Sequence, residues 1–381
     1  MNFLRAFVRN NAFPIGLFLF LRVWTFVWAS ITAAFIPPSA EASKHYYGIE
    51  PLRDWLIAPW QRWDTIWYTK IALEGYAADP RIVFPPFYPL LLRGLSPFLG
   101  NNFVAAGLVL ASIAALASFI LLYQLARELF PAASARRALL FMGVFPTAFY
   151  LFAAYTESLF LAFVLGAFLC MRHRHWVGTG IFSGLAAMTR AQGMLVVLPF
   201  AIEFWMQYRR KEIALRQIWT LGLIVLGSVA HLGWLTFQFG SLDVWFQAQL
   251  LWHRAVLPWE SLVQVWQTML GAPSWLEGTL TAIQLGAELL LLGAIVWSAR
   301  RLSWSYTAYA AIIALPSLFV VTTYSSQFPL TGVSRFAILA FPLFLLLGAL
   351  RKRWWHSLLI AGSFLLQTLW LILFVSWVFV H

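Results

Sequence analysis

Between Gln61 and Arg93, in an otherwise apolar chain, stand Arg62, Asp64, Lys70, Glu74, Asp79, Arg81 and Arg93. Asp64 sits among Trp60, Trp63, Trp67 and Tyr68. A carboxylate partly stripped of water by such neighbours is suited to take a proton from an attacking hydroxyl. Its plainer reading is an ion-pair partner for Arg62 or Lys70. Glu157, in AAYTESLF, is an acid at membrane depth, where such a group usually faces a cavity. It could equally open the helix that follows, with Thr156 before it. Arg190 and Arg335 lie at the ends of apolar runs. A forked guanidinium fits a phosphate and can neutralise one that leaves; the bland alternative is snorkelling to lipid headgroups. Lys70 and Arg81 are weaker candidates for the same charge.

Other chemistries lack their residues. There is no GxGxxG, GxxxxGK[ST], CxxC or HExxH, so nucleotide hydrolysis and zinc chemistry have no support. No Asp-x-Asp or Glu-x-Asp occurs between 37 and 101, so no cofactor is evident and a divalent metal has no visible ligand pair. Cys170 is the single cysteine, lies in an apolar run and reads as a packing residue. His253 reads as structural. Asp243 and Glu260 could line an acceptor groove, and Arg22, inside the first apolar run, needs an inward-facing partner.

The elements that must position these groups are membrane elements. With 61% hydrophobic and 10% charged residues over 381 positions, the chain is an all-α polytopic membrane protein. Apolar runs predict about eleven spans, near 12–36, 102–126, 138–154, 157–171, 177–190, 191–207, 218–239, 280–298, 304–322, 336–350 and 357–380. The pair 177–190 and 191–207 is the weakest point; as one long helix it would flip every later orientation. Ala40-Glu41-Ala42 resembles a signal-peptidase site, but the run before it is long enough to span, and the first helix is expected to be uncleaved.

The net charge of +12 alternates with the spans, as topology signals do, and nucleic acid is not expected. Arg5, Arg9, Arg127, Arg136, Arg137, Arg172, Arg174, Arg209, Arg210, Lys211, Arg216, Arg300, Arg301, Arg351, Lys352 and Arg353 then mark the inner side. The loops 37–101 and 240–279 fall on the outer side of a single integral membrane domain. In the first, Trp60, Trp63, Trp67 and Ile71 form one stripe of an interfacial helix from Trp60 to Gly75. Pro85, Pro86 and Pro89 then guide a re-entry.

RWDTIWYTKIALEGY followed by FPPFYPLLLR resembles the first luminal loop of the PIG-V-like mannosyltransferases, the family of the second GPI mannosyltransferase. FPTAFYLFAAYTESLF at 145–160, SGLAAMTRAQG at 183–193 and SRF at 334–336 continue the resemblance, which thins beyond the first 200 residues. It implies a glycosyltransferase C-type fold with amphipathic helices in the first outer loop. It also implies a polyprenyl-phosphate mannose donor and a lipid-linked or membrane-anchored glycan acceptor. Asp64 would be the base. Arg190 and Arg335 would meet the phosphate, and Glu157, Arg62, Trp67, Tyr68, Lys70 and Gln192 would contact substrate. Loop 37–101 would be catalytic and loop 240–279 an acceptor or donor groove, at the outer face of a bacterial plasma membrane. Aromatics at 18%, concentrated beside acids in both loops, suit sugar rings. The rival is a transporter or flippase of a lipid-linked sugar, which should show broken helices at matching places in two halves; none is visible.

Overall fold

The structure is a computed structural model that describes residues 2–36, 54–323, 330, 332–350 and 353–378. Ala40-Glu41-Ala42, Arg351 and Lys352 lie outside the described residues. Five helices are long and apolar enough to cross a membrane: Ala12–Phe35, Phe103–Leu129, Leu215–Phe239, Trp275–Arg301 and Trp354–Val375. At about 1.5 Å per residue, each covers the ~30 Å of hydrocarbon. Elsewhere the expected spans are shorter. The run at 138–154 is the helix Ala132–Gly143 followed by a buried irregular segment. The run at 304–322 is the helix Trp304–Ala314, a turn at Pro316–Phe319 and a strand, Val320–Thr322.

Contacts sort the chain into two compact units, each drawn from distant stretches. The first holds Met1–Gly75, Pro86–Leu169 and Leu347–Val380; the second holds Tyr76–Pro85 and Cys170–Leu346.

In the first unit, the Ala12–Phe35 helix packs against Phe103–Leu129, Ala132–Gly143 and the C-terminal helix Arg353–Val375. Between these helices runs residues 148–157, whose side chains are all buried. A buried loop needs partners for its carbonyls. The side chains of other elements provide them. Arg22 Nη1 donates to the Phe152 carbonyl at 2.7 Å, and Thr65 Oγ1 donates to that of Ala154 at 3.1 Å. Just beyond the loop, Ser118 Oγ donates to the carbonyl of Ser158, in the first turn of the helix Glu157–Arg172, at 3.1 Å. The partner of the intramembrane Arg22 is thus a peptide carbonyl rather than an acid, with the rings of Phe26 and Trp60 alongside.

In the second unit, Trp176–Thr189 lies close against Trp219–Phe239. A Cβ at Gly180 would meet the Thr220 carbonyl oxygen, and one at Gly184 would lie 2.6 Å from that of Leu223. Small residues one turn apart let two helices approach in this way. At Arg190 the backbone turns extended (φ −144°, ψ 144°), and a short 3-10 turn, Ala191–Val196, leads into Val197–Arg209. Two short helices therefore replace the alternative of one long one. The fold-back depends on Gly193, where a Cβ would lie 2.5 Å from both the Ala186 carbonyl oxygen and the Ala187 Cα. Backbone cannot give way cheaply, so Gly193→Ala should cost about 1–3 kcal/mol of stability. A lowered melting temperature in detergent checks this.

The segments 76–85, 243–255 and 320–322 of the second unit form one cluster. His253–Ala255 pairs antiparallel with Val320–Thr322 in the register His253 to Thr322. Ile82 packs with Leu235 and Ala248 under Tyr76 and Trp245. Trp252 Nε1 donates to the Pro80 carbonyl at 3.1 Å, tying the turn Pro80–Val83 to the helix Asp243–Trp252.

Candidate active site

The sequence placed Asp64 mid-helix on an aromatic stripe. The helix instead begins at Asp64 and runs to Glu74, with Gly75 ending it at φ +82°. Upstream, Ala58–Trp60 is a 3-10 turn led by Pro59, and Trp63 holds a left-handed φ of +48°. That conformation is costly for a bulky residue and persists only where packing enforces it. Trp63 meets the Trp377 ring edge-on at 5.3 Å. Arg62 holds the turn as well. Its Nη1 donates to the carbonyls of Ala58 (2.8 Å) and Gln61 (3.1 Å), and its Nε and Nη2 donate to that of Val375 (3.2 and 2.8 Å). Its guanidinium also lies over the Trp377 ring at 4.8 Å. Arg62, expected to touch substrate, is buried, and these four hydrogen bonds go to backbone carbonyls. The expected single stripe is therefore broken at 61–63, because Pro59 and the Arg62 carbonyl network bend the chain there.

The break leaves Asp64 half-buried in the first helical turn, where unpaired N–H groups favour a carboxylate. Behind it the helix is anchored in the core. Thr65 is fixed to the Ala154 carbonyl, and the Arg62 carbonyl accepts from the Tyr155 hydroxyl at 3.0 Å. One turn on, the buried Tyr68 hydroxyl shares a hydrogen bond with Thr156 Oγ1 at 3.2 Å, and its ring meets Tyr88 edge-on at 4.9 Å. Tyr88 belongs to the helix Phe87–Leu95, which opens behind Pro86 as the prolines suggested. Its hydroxyl is buried and has no hydrogen-bond partner among the described residues. Burial pushes the Tyr88 phenol well above its ordinary pKa, and the charges of Tyr68 and Glu157 push it the same way. Glu157, fully buried, is the first residue of the helix Glu157–Arg172. Tyr68, Tyr88 and Glu157 thus come together from three helices, with Thr156 just before the third, one turn beyond Asp64. Trp67 and Lys70 sit half-exposed on the same helix, with Lys70 Nζ 5.8 Å from the Trp67 ring centroid.

In the second unit, Arg190 and Arg335 converge from positions far apart in sequence. Their guanidinium carbons lie 4.8 and 5.0 Å from the centroid of one ring, that of Phe336. Arg190 is buried, Arg335 half-buried, and Gln192 half-buried two residues beyond the break. Two cations sharing one ring concentrate positive charge, an arrangement that fits an anion. Arg81 is placed otherwise: its guanidinium pairs with Asp79 at 2.9 Å. Glu260 Oε2 accepts from the Leu257 N–H at 2.8 Å and Asp243 Oδ2 from the Ser241 hydroxyl at 3.0 Å, so both do local work at helix starts. His253 is half-buried in its strand, and burial lowers its pKa.

Some polar groups escaped sequence reasoning. Tyr88 was hidden inside FPPFYPLLLR as one more aromatic. Glu203 and Glu288 are buried acids within apolar helices; Ser305 donates to Glu203 at 2.9 Å and Ser317 to Glu288 at 2.7 Å. The available signal was an acid inside an apolar run. Among the described residues, no group of three His, Cys, Asp or Glu is arranged to hold a metal.

Residues 84–234 match the family described as dolichyl-phosphate-mannose-protein mannosyltransferase. A stretch of 156 residues is 29% identical to GPI mannosyltransferase 2 of Schizosaccharomyces pombe, covering 39% of this chain and 32% of the yeast protein. The match therefore spans about a third of that relative's length. The fold is similar to that of ArnT from Cupriavidus metallidurans, solved with undecaprenyl phosphate bound. The TM-score is 0.52 at 14% identity, over 91% of this chain and 62% of ArnT. The chain is thus an integral membrane protein with a fold similar to that of ArnT, and its residues 84–234 are similar to the dolichyl-phosphate-mannose-protein mannosyltransferases.

Proposed function

We propose that the protein transfers a mannose, or another hexose, from a polyprenyl-phosphate sugar to a lipid-linked or membrane-anchored glycan on the outer face. The observation that carries this reading is the placement of Asp64 at the start of the Asp64–Glu74 helix, in front of the buried Tyr68, Tyr88, Thr156 and Glu157. The mannosyltransferase signature and the fold shared with ArnT support the donor class.

In this reading Asp64 accepts the proton of the acceptor hydroxyl. The freed oxygen forms a bond to the anomeric carbon as the bond to the lipid phosphate breaks, and the phosphate leaves with the electron pair. One displacement inverts the anomeric centre. Asp64 provides the base, and the buried cluster behind it keeps the helix rigid, holding the carboxylate in place. Within the second unit, Arg190 and Arg335, paired over the Phe336 ring, carry the forked donors that suit a polyprenyl phosphate. Trp67 offers a ring face to sugar, with Lys70 beside it.

The test is a membrane assay with radiolabelled polyprenyl-phosphate mannose and a panel of lipid acceptors. Label should move into a new glycolipid. Label crossing the bilayer still attached to its polyprenyl phosphate would replace the transferase with a transporter. The outer-face assignment has its own check in a Cys170→Ser background. Single cysteines at the exposed Ala78 and Gln247 should react with an impermeant reagent from outside, and one at the exposed Lys211 should not. The reverse pattern would put the site on the inner face.

A further inference from the structure

The first unit holds a second polar feature on different elements. A cavity of about 840 Å³ opens between the amphipathic helix Asn2–Asn10, the last turns of Phe103–Leu129 and the first turns of Ala132–Gly143. Arg9, Arg127 and Arg136 stand around it, one from each helix, and Glu128 is the one carboxylate in its lining. None of the three guanidiniums forms an ion pair among the described residues.

Its floor is built of polar groups. Tyr123 is buried, and Arg127 Nη1 donates to its hydroxyl at 3.5 Å while Arg136 reaches the same oxygen. Gln124 Nε2 donates to the Oδ1 of buried Asn11 at 3.4 Å, and Asn11 Nδ2 donates to the Phe7 carbonyl at 3.0 Å. Phe13 backs the wall, its ring 6.1 Å from that of Tyr123 and 5.8 Å from the Arg136 guanidinium carbon.

Topology alone would explain arginines near the ends of spans, and a helix C-terminus would favour Arg127. Neither explains convergence from three separate helices on one concave, hydrogen-bonding cavity. Arg9 also lies in the last turn of its helix, but Arg136 lies within the Ala132–Gly143 helix, away from its C-terminal end. Three cations facing one acid leave a net positive cavity, which calls for an anion with several acceptor oxygens. Phe7 and Val8, exposed on the helix that bears Arg9, put an apolar surface next to that charge. A helix of this kind lies in the membrane interface, and basic pockets between membrane helices take phosphorylated headgroups.

We propose that this cavity binds the phosphate of an anionic membrane lipid, its headgroup among Arg9, Arg127 and Arg136 and its acyl chains along Phe7 and Val8. The site is separate from the proposed transfer chemistry and does not depend on it.

The experiment titrates short-chain phosphatidylglycerol, phosphatidylcholine and inorganic phosphate into the full-length protein in detergent. It reads melting temperature and, by native mass spectrometry, bound lipid. Phosphatidylglycerol should raise the melting temperature saturably and appear as a retained adduct; phosphatidylcholine should do neither. The double variant Arg127→Gln/Arg136→Gln should weaken the apparent affinity roughly thirtyfold. Arg209→Gln/Arg210→Gln, which removes two exposed arginines elsewhere, should leave it unchanged. Should the double variant not fold, Arg9→Gln and Arg127→Gln tested singly carry the same expectation in smaller steps. Equal stabilisation by inorganic phosphate would assign the cavity to free phosphate and overturn the lipid. Unchanged affinity in the cavity variants, or an equal loss in the Arg209/Arg210 control, would overturn the site.

Discussion

Asp64→Asn should fold, insert and melt like the parent while transferring almost no sugar. The substitution keeps size and shape and removes the base. General-base assistance is typically worth ~10²–10⁴ in rate, so turnover per folded molecule should fall to about a hundredth or less. The geometry favours clean separation of chemistry from folding. Asp64 is half-buried at a helix start that Thr65, Arg62 and Tyr155 hold through other groups, so losing one carboxylate charge leaves that scaffold bonded. The helix-terminus effect lost with the charge is about 0.3–1 kcal/mol. Asp64→Glu moves the carboxylate by one methylene and should be impaired severely, though less than Asn. If Asp64 were only an ion-pair partner, Asn would lower the melting temperature and spare turnover. A well-folded Asn variant with near-parental donor consumption would end the proposed mechanism.

Arg190→Ala is expected to raise the apparent KM for the donor by about 10–100-fold, with little change for the acceptor. The figure follows from about 1.5–3 kcal/mol for a hydrogen bond to a charged group. Lys at the same position should recover only part of it, because an ammonium restores charge without the planar fork. Arg335→Ala should act in the same direction, since both guanidiniums face the Phe336 ring. Arg190 is also buried at a backbone break, so a stability loss has to be separated from a binding loss. The acceptor KM does this, because a merely loosened protein would lose both substrates. Donor affinity unchanged in both alanine variants would return the two arginines to packing and headgroup anchoring.

Much of this was legible from residue types. An apolar run of more than 20 residues has few options besides crossing a bilayer, and the helices Ala12–Phe35 and Phe103–Leu129 begin and end within three residues of the expected spans. The break at Arg190 was visible as a cation in an apolar run, and Gly75 ended its helix as read. The path from Trp60 to Asp64 was not legible. Trp60, Trp63, Trp67 and Ile71, at 3, 4, 4 spacing, satisfy a helix pattern, yet a proline turn and one positive φ cost less than exposing the Trp60 side chain, which is completely buried. Local periodicity cannot report that trade, because the cavity that accepts Trp60 is made by other elements.

The sequence by itself determined the class of protein, the approximate placement of its long helices, and that Asp64, Glu157, Arg190 and Arg335 were the ionisable groups to follow. Those conclusions rest on hydropathy and on the cost of charge in an apolar run, properties each residue carries wherever it lies. Tertiary structure alone decided which groups became neighbours. It turned Arg62 into a backbone clamp and gave Arg22 a carbonyl for a partner. It hid the Tyr88 hydroxyl beside Tyr68 and Glu157, and it brought Arg190 and Arg335, 145 positions apart in the chain, onto one ring. The physical reason is that burial and hydrogen-bond partnership are properties of pairs. Those pairs form only when a loop as buried as 148–157 draws its partners from helices that the sequence keeps far apart.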